Sequence, residues 1–243
     1  MDRIATAKIR LFVEHPLGEG QSVPLTRPQA HYLFGVMRLS TGSNILVFDG
    51  ASGEWLAEVE DAGKRGGTLR IMRQTQEQRM PPDLWLLFAP VKKARTDFIV
   101  EKATEMGAAR IVPVQTDFTN SGRIQRDRLQ AHAVEAAEQC GATFVPEVAE
   151  MVRLDRLLTG WDDARRILFC DEELAGAALA KPENAGPWAI LIGPEGGFSD
   201  KERQRLHGLD HAHAVSLGPR ILRADTAAVA ALAMWQQALG DWR

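Results

Sequence analysis

Two segments near the C-terminal end combine glycine, proline and charge in patterns that could hold a ligand. The first runs from Ile190 to Ser199 as Ile-Leu-Ile-Gly-Pro-Glu-Gly-Gly-Phe-Ser. An apolar run, Ala189–Ile192, fits a buried parallel strand and discharges into this loop. Gly193 and Gly197 would let backbone groups approach a bound molecule closely. The loop has neither GxxxxGK(S/T) nor GxGxxG, and Glu195 sits in its middle, which opposes a phosphate and suits a cationic or neutral ligand. A tight strand-to-helix turn without a ligand is the competing explanation. The second segment, Val215 to Thr226, repeats the layout with Leu217-Gly218-Pro219 and adds Arg220 and Arg223. Arginine is always charged and offers fixed donors to phosphate or to a nucleobase carbonyl. A solvated connection would explain either arginine taken alone.

The elements that must position these turns follow from periodicity. From Asp83 onward, strands are predicted at Leu84–Ala89, Arg110–Val114, Arg166–Cys170, Trp188–Ile192 and Ala214–Leu217, alternating with helices near 94–106, 125–140, 172–180, 200–208 and 225–239. Such alternation implies crossover connections and a largely parallel sheet, an α/β domain. Gly107 and Gly141 close two of the helices. Ser199 and Glu202 have capping-box spacing. The helix 225–239 is almost uncharged and must bury most of its surface, against its own core and a partner subunit. Residues 1–73 read as a small β-rich barrel unit with strands Ile9–Val13, Ile45–Phe48, Glu54–Glu60 and Thr68–Met72. One helix, from Pro28 to Leu39, interrupts them, with Leu33, Val36 and Met37 as its apolar face. The polar, proline-ended stretch 74–82 reads as a linker before the domain 83–243.

Bulk composition narrows the class. The 243 residues are 45% hydrophobic and 25% charged, as in a globular protein. No apolar run approaches the roughly 20 residues of a membrane span, and no secretory core is visible, so a cytoplasmic protein is expected. The net charge of −3 means that any nucleic-acid contact must rely on local basic patches. Cys140 and Cys170 fit no disulfide or zinc pattern. His211 and His213 have a spacing that can ligate metal, but no third ligand is evident, so no metal is expected.

Read together, IGPEGGFSDKE (192–202) and LGPRILRADTA (217–227) resemble the RsmE-type uridine N3-methyltransferases of bacterial small-subunit ribosomal RNA, members of the SPOUT superfamily. HYLFGVMRLSTG (31–42), VFDG (47–50), KKARTDFIVEKATEMGAARIVPV (92–114) and RLQAHAVEAAEQCGATFVPEV (128–148) extend the resemblance over nearly the whole chain. It implies an N-terminal PUA-like RNA-binding barrel, a C-terminal α/β domain with a trefoil knot, and a homodimer. It implies S-adenosylmethionine as cofactor and 16S ribosomal RNA as substrate, within an assembled or assembling subunit. Gly193, Glu195 and Gly197 would form one cofactor loop. Leu217, Gly218, Ile221 and Leu222 would form another, with Arg223 beside the reaction centre, Arg220 as second candidate, and Cys170 on a third wall. Arg10 and Arg38 would face RNA. The usual family form has glutamate where this chain has Asp225. Two other possibilities stay open: ribose 2′-O-methylation on the same fold, and a non-catalytic RNA-binding protein.

Overall fold

The computed structural model describes residues 7–63, 66–175 and 186–242. The chain forms two compact units. The first holds residues up to Met80 together with Ala137–Phe144, and the second holds Pro81–Ala136 and the chain from Val145 onward.

In the first unit, five strands order as β1 (Arg10–Phe12), β3 (Asn44–Phe48), β4 (Glu54–Ala62), β5 (Gly67–Gln76) and β2 (Ser22–Pro24). Among the described residues, β1 and β3 pair in parallel and the other pairs are antiparallel. Register shifts along β4 and β5 mark bulges, which bend and twist a ribbon, and the sheet curls into a half-barrel. Leu33, Ile45, Val47, Leu69 and Ile71 fill its inside. β5 continues past Arg73 into the stretch expected to be linker, and β2 has no counterpart among the predicted strands.

The predicted helix over 28–39 is split. α1 (Arg27–Ala30) starts at a Thr26–Gln29 capping box, then the chain winds as a π-helix from His31 to Val36. The Met37 N–H donates to the Tyr32 carbonyl, five residues back. This wider winding breaks the three-and-four spacing that the sequence pattern assumed. Leu33 is buried as expected, whereas Val36 and Met37 face solvent.

Among the described residues, the second unit holds a seven-stranded sheet whose strand pairs are all parallel. Its path runs β12 (Ala212–Val215), β10 (Arg166–Cys170), β11 (Trp188–Ile192), β6 (Leu84–Phe88), β7 (Arg110–Gln115) and β8 (Glu147–Val148), with β9 (Val152–Arg153) also on β7. Every residue of β11 is buried, as a central strand covered on both faces requires. The helices are α2 (Lys93–Glu105), α3 (Arg126–Cys140), α4 (Leu154–Thr159), α5 (Asp200–His207) and α6 (Ala224–Ala238). β8, β9 and α4 are too short to show a period and were not anticipated. Of the helix expected over 172–180, only a three-residue 3-10 turn, Glu172–Leu174, is described; 176–180 lie outside the described residues.

α6 buries Ala227, Ala228, Ala231, Leu232 and Trp235 in the core shared with Ile99, Val100 and Ala103 of α2. Gln236, wholly buried on the same helix, donates to the Met106 carbonyl at 2.7 Å and accepts from the Asp241 N–H at 3.1 Å. Its polar atoms are therefore satisfied, as burial demands. No helix among the described residues is long and apolar enough to cross a membrane.

Candidate active site

The register of three strands creates the site. Cys170 pairs with Ile192 on one side and with Val215 on the other. The carboxyl ends of β10, β11 and β12 therefore stop in one row, and both glycine-proline turns leave the sheet from it. Ligands in open α/β sheets bind outside such strand ends. A cleft opens there, lined by residues from all three strand ends and both turns.

Most of the expected residues meet around this cleft. Cys170, Gly193, Glu195, Gly197, Leu217, Gly218, Arg220, Ile221 and Leu222 all line it. Arg223 does not. It is exposed, sits immediately before α6 and stands beside the cleft rather than on its wall. β12 ends at Val215, two residues earlier than expected, because Leu217 and Gly218 are already part of the turn. Gly218, with φ at +109°, and Gly197, with φ at +71°, occupy backbone regions that side chains rarely enter. Cys170 lies half-buried among apolar neighbours, and burial pushes its thiol up to about 12. It stays neutral near neutral pH, with its side chain part of the cleft lining.

Charges on the far sides of the cleft were not foreseen. Glu195 is ion-paired with Arg95 of α2, and the Arg95 Nε lies 3.8 Å from Asp225 on the first turn of α6. One guanidinium thus ties the cofactor-type loop to the helix that follows the second turn. Asp171 and Glu172, just past β10, also face the cleft. Asp171 is 1% exposed in its side chain and accepts from Arg203 Nε at 3.1 Å, with His207 at 3.3 Å. Glu172 accepts from Arg203 at 2.6 Å and from the Phe198 N–H at 3.4 Å, closing the loop from below. The expected capping box forms: Ser199 Oγ accepts from the Glu202 N–H, and Glu202 reaches back to the Ser199 N–H at 3.0 Å.

Both RNA candidates lie in the first unit. Arg38 is exposed, and its backbone is left-handed, with φ at 57°. Arg10 needs correction. Its side chain is only 12% exposed and pairs with Glu54 at 2.7 Å. It also donates to the carbonyls of Ala137, Glu138 and Ala142 at 2.7–3.0 Å, and it lies over the Phe48 ring. The last turn of a helix leaves carbonyls without partners, and Arg10 supplies them. Its donors are spent on these partners within the first unit.

The cleft presents backbone groups, an apolar wall and carboxylates, and Arg220 on its wall has no acidic partner among the described residues. Fold and cleft define an RNA methyltransferase domain, which matches residues 78–236, preceded in sequence by an RNA methyltransferase PUA domain over residues 25–72. The chain is 32% identical to the Ribosomal RNA small subunit methyltransferase E of Synechocystis, over 87% of this chain and 72% of that one. A methyltransferase from Legionella pneumophila, solved with bound S-adenosylmethionine, superposes with a TM-score of 0.85 at 29% identity, covering 96% of this chain and 98% of that one. The Ribosomal RNA small subunit methyltransferase E of Neisseria gonorrhoeae, also solved with S-adenosylmethionine, gives 0.85 at 27% identity over 97% and 99%. The chain belongs to the ribosomal RNA small subunit methyltransferase E family.

Proposed function

We propose that this protein methylates N3 of a uridine in small-subunit ribosomal RNA, using S-adenosylmethionine and acting as a homodimer. The observation that carries this reading is the convergence of both glycine-proline turns on one cleft with Arg220 on its wall. The residues present fit the cofactor. Leu217, Leu222 and Ala227 offer an apolar surface for the adenine, and the half-buried backbone at Gly193 and Gly218 on the cleft wall offers its polar edge donors and acceptors. Glu172 has a carboxylate to accept from ribose hydroxyls, and the acids around the cleft suit a cationic centre. When bound, S-adenosylmethionine supplies a methyl group activated by a sulfonium.

The residues of the chain then have to orient a nucleobase for in-line attack, a task of positioning more than covalent chemistry. Uracil N3 carries a proton and becomes nucleophilic only when that proton leaves. A guanidinium at the uracil carbonyls stabilises the resulting anion. Arg220 at the cleft and Arg223 beside it have no acidic partner among the described residues, so both are free for that role. Arg38, exposed on the first unit, is the remaining RNA contact from the sequence pattern.

The direct test compares nucleosides of small-subunit ribosomal RNA from cells with and without this protein. The expected difference is one 3-methyluridine, lost with the gene and restored by the purified enzyme. A 2′-O-methylated nucleoside in its place would overturn the N3 assignment.

The dimer rests on α6. Its inner face is buried, yet Val229, Ala230, Ala233 and Met234 remain only half-covered on a helix whose one charged residue, Asp225, lies in its first turn. A second copy of the chain covers them in this reading. Sedimentation at micromolar concentration is expected to give the dimer mass; a fully active monomer would remove this part of the proposal.

A further inference from the structure

A second cleft adjoins the cofactor-type loop on its other side. It is an open groove between the start of α2, the turn holding Asn120 and Ser121, and the loop itself, with Lys92, Lys93, Asn120, Ser121, Pro194 and Glu195 on its walls. Pro194 and Glu195 line both clefts, so the two sites share one wall. Three features mark it as a place for an anionic strand. Lys92 and Lys93 are exposed and have no acidic partner among the described residues. They sit at the N-terminal end of a 13-residue helix whose first turn holds no acid and whose N-cap makes no side-chain hydrogen bond. Cations there oppose the helix dipole, so they cost stability unless an anion joins them. The acid on the wall, Glu195, already holds Arg95.

The third feature is aromatic. Phe118 is 47% exposed, and its side chain lies against Gly196 of the loop, where an added Cβ would come within 3.4 Å of it. Phe118 is not on the cleft wall itself, but it packs on Gly196, next to Glu195, and lies two residues before Asn120, so an exposed ring adjoins the wall that faces the lysines; bases stack on such rings while phosphates pair with cations.

We propose that this cleft is the substrate-strand subsite, in which Lys92 and Lys93 take backbone phosphates flanking the target nucleotide and Phe118 stacks on a base of the same strand. The inference rests on the RNA-methylation reading above and gives that reading a path for the strand into the reaction centre. The shared wall of Pro194 and Glu195 sets the nucleotide beside the cofactor cleft, while the phosphates stay outside it.

The test uses the full chain with labelled small-subunit ribosomal RNA in filter binding over a range of salt, and calorimetry with S-adenosylmethionine. The Lys92→Ala/Lys93→Ala double variant should bind RNA about tenfold more weakly or worse, and the slope of log affinity against log salt should flatten by about 1.4, at roughly 0.7 per phosphate lost. Phe118→Leu keeps an apolar side chain and should weaken RNA binding about tenfold with the salt slope unchanged. Both variants should bind the cofactor as the wild type does. Unchanged RNA affinity and salt slope in the double variant would overturn the subsite. So would an equal loss of cofactor affinity, which would make these residues braces of the loop. Because RNA retention needs no methyl transfer, a wild-type product other than 3-methyluridine would sink the N3 reaction and leave the subsite standing.

Discussion

Replacing Arg220 and Arg223 together by alanine is expected to lower single-turnover methyl transfer by about two to three orders of magnitude, while S-adenosylmethionine binds within a few-fold of the wild type. The reason is the charge that develops on the uracil ring, not the charge on the cofactor. As the N3 proton leaves, negative charge spreads onto the flanking carbonyl oxygens. Donors already aimed at those oxygens need not reorganise at the moment of reaction. Arg220 lines the cleft and Arg223 stands one turn residue before α6. Neither is neutralised by an acid among the described residues, in contrast with Arg95, which already holds Glu195. Arg223→Ala alone should also lose turnover by orders of magnitude. The lysine versions should recover part of the rate, because a point charge remains while the planar fork is lost. Single-turnover kinetics with saturating RNA, alongside calorimetry with the cofactor, separate the two effects. Full turnover in the double variant would remove both arginines from the reaction, and a parallel collapse of cofactor affinity would move them to the cofactor wall.

The cleft walls were legible in the sequence because they are local. A buried strand, a glycine-proline turn and a capped helix are each written within about ten residues, and the same layout occurs twice. What was not legible is how the walls are tied together. Arg95 and Glu195 are separated by 100 positions, and nothing in either neighbourhood marks them as a pair. A glutamate in the middle of a glycine loop therefore read as an isolated charge suited to a cation, when much of its charge is offset by a guanidinium from α2. Asp225 has the same history. As a substitution for glutamate it carried no assigned role; in three dimensions it is the second carboxylate near Arg95, at a longer 3.8 Å.

The first unit shows the opposite limitation. Four of its strands were legible, since alternation in β3 and β4 is short-range, while the three-residue β2 is too short to show a period. Arg10 was misjudged because a strand residue flanked by apolar neighbours gives no sign that helix carbonyls wait 127 or more positions away. The π-helical turn at His31–Val36 misled in another way. Residue types that suit an α-helix also suit a π-helix, and only the five-residue hydrogen bond moves Val36 and Met37 outward. The outcome is an exposed apolar group beside Arg38, on a face the periodic pattern had assigned to the core.

Gly197→Ala tests the geometry of the cofactor loop itself and is expected to weaken S-adenosylmethionine binding by at least an order of magnitude with a clear loss of thermal stability. Two costs add. At φ +71° an alanine suffers the left-handed penalty of about 1–2 kcal/mol. Its methyl group would also overlap the Glu172 carboxylate. That carboxylate is not free to swing aside, because it accepts from Arg203 at 2.6 Å and from the Phe198 N–H. Either the loop lifts away from Glu172 and distorts the cleft, or Glu172 leaves Arg203 beside the buried Asp171. The pair of costs can be separated by adding Glu172→Ala to both backgrounds. Without the carboxylate, Gly197→Ala should cost only the left-handed term, so the double variant should be more stable than the two single losses add up to. Strict additivity in thermal unfolding would mean that Glu172 does not hold the loop from below. Wild-type stability and cofactor affinity in Gly197→Ala would mean that the turn is not the tight wall this structure describes.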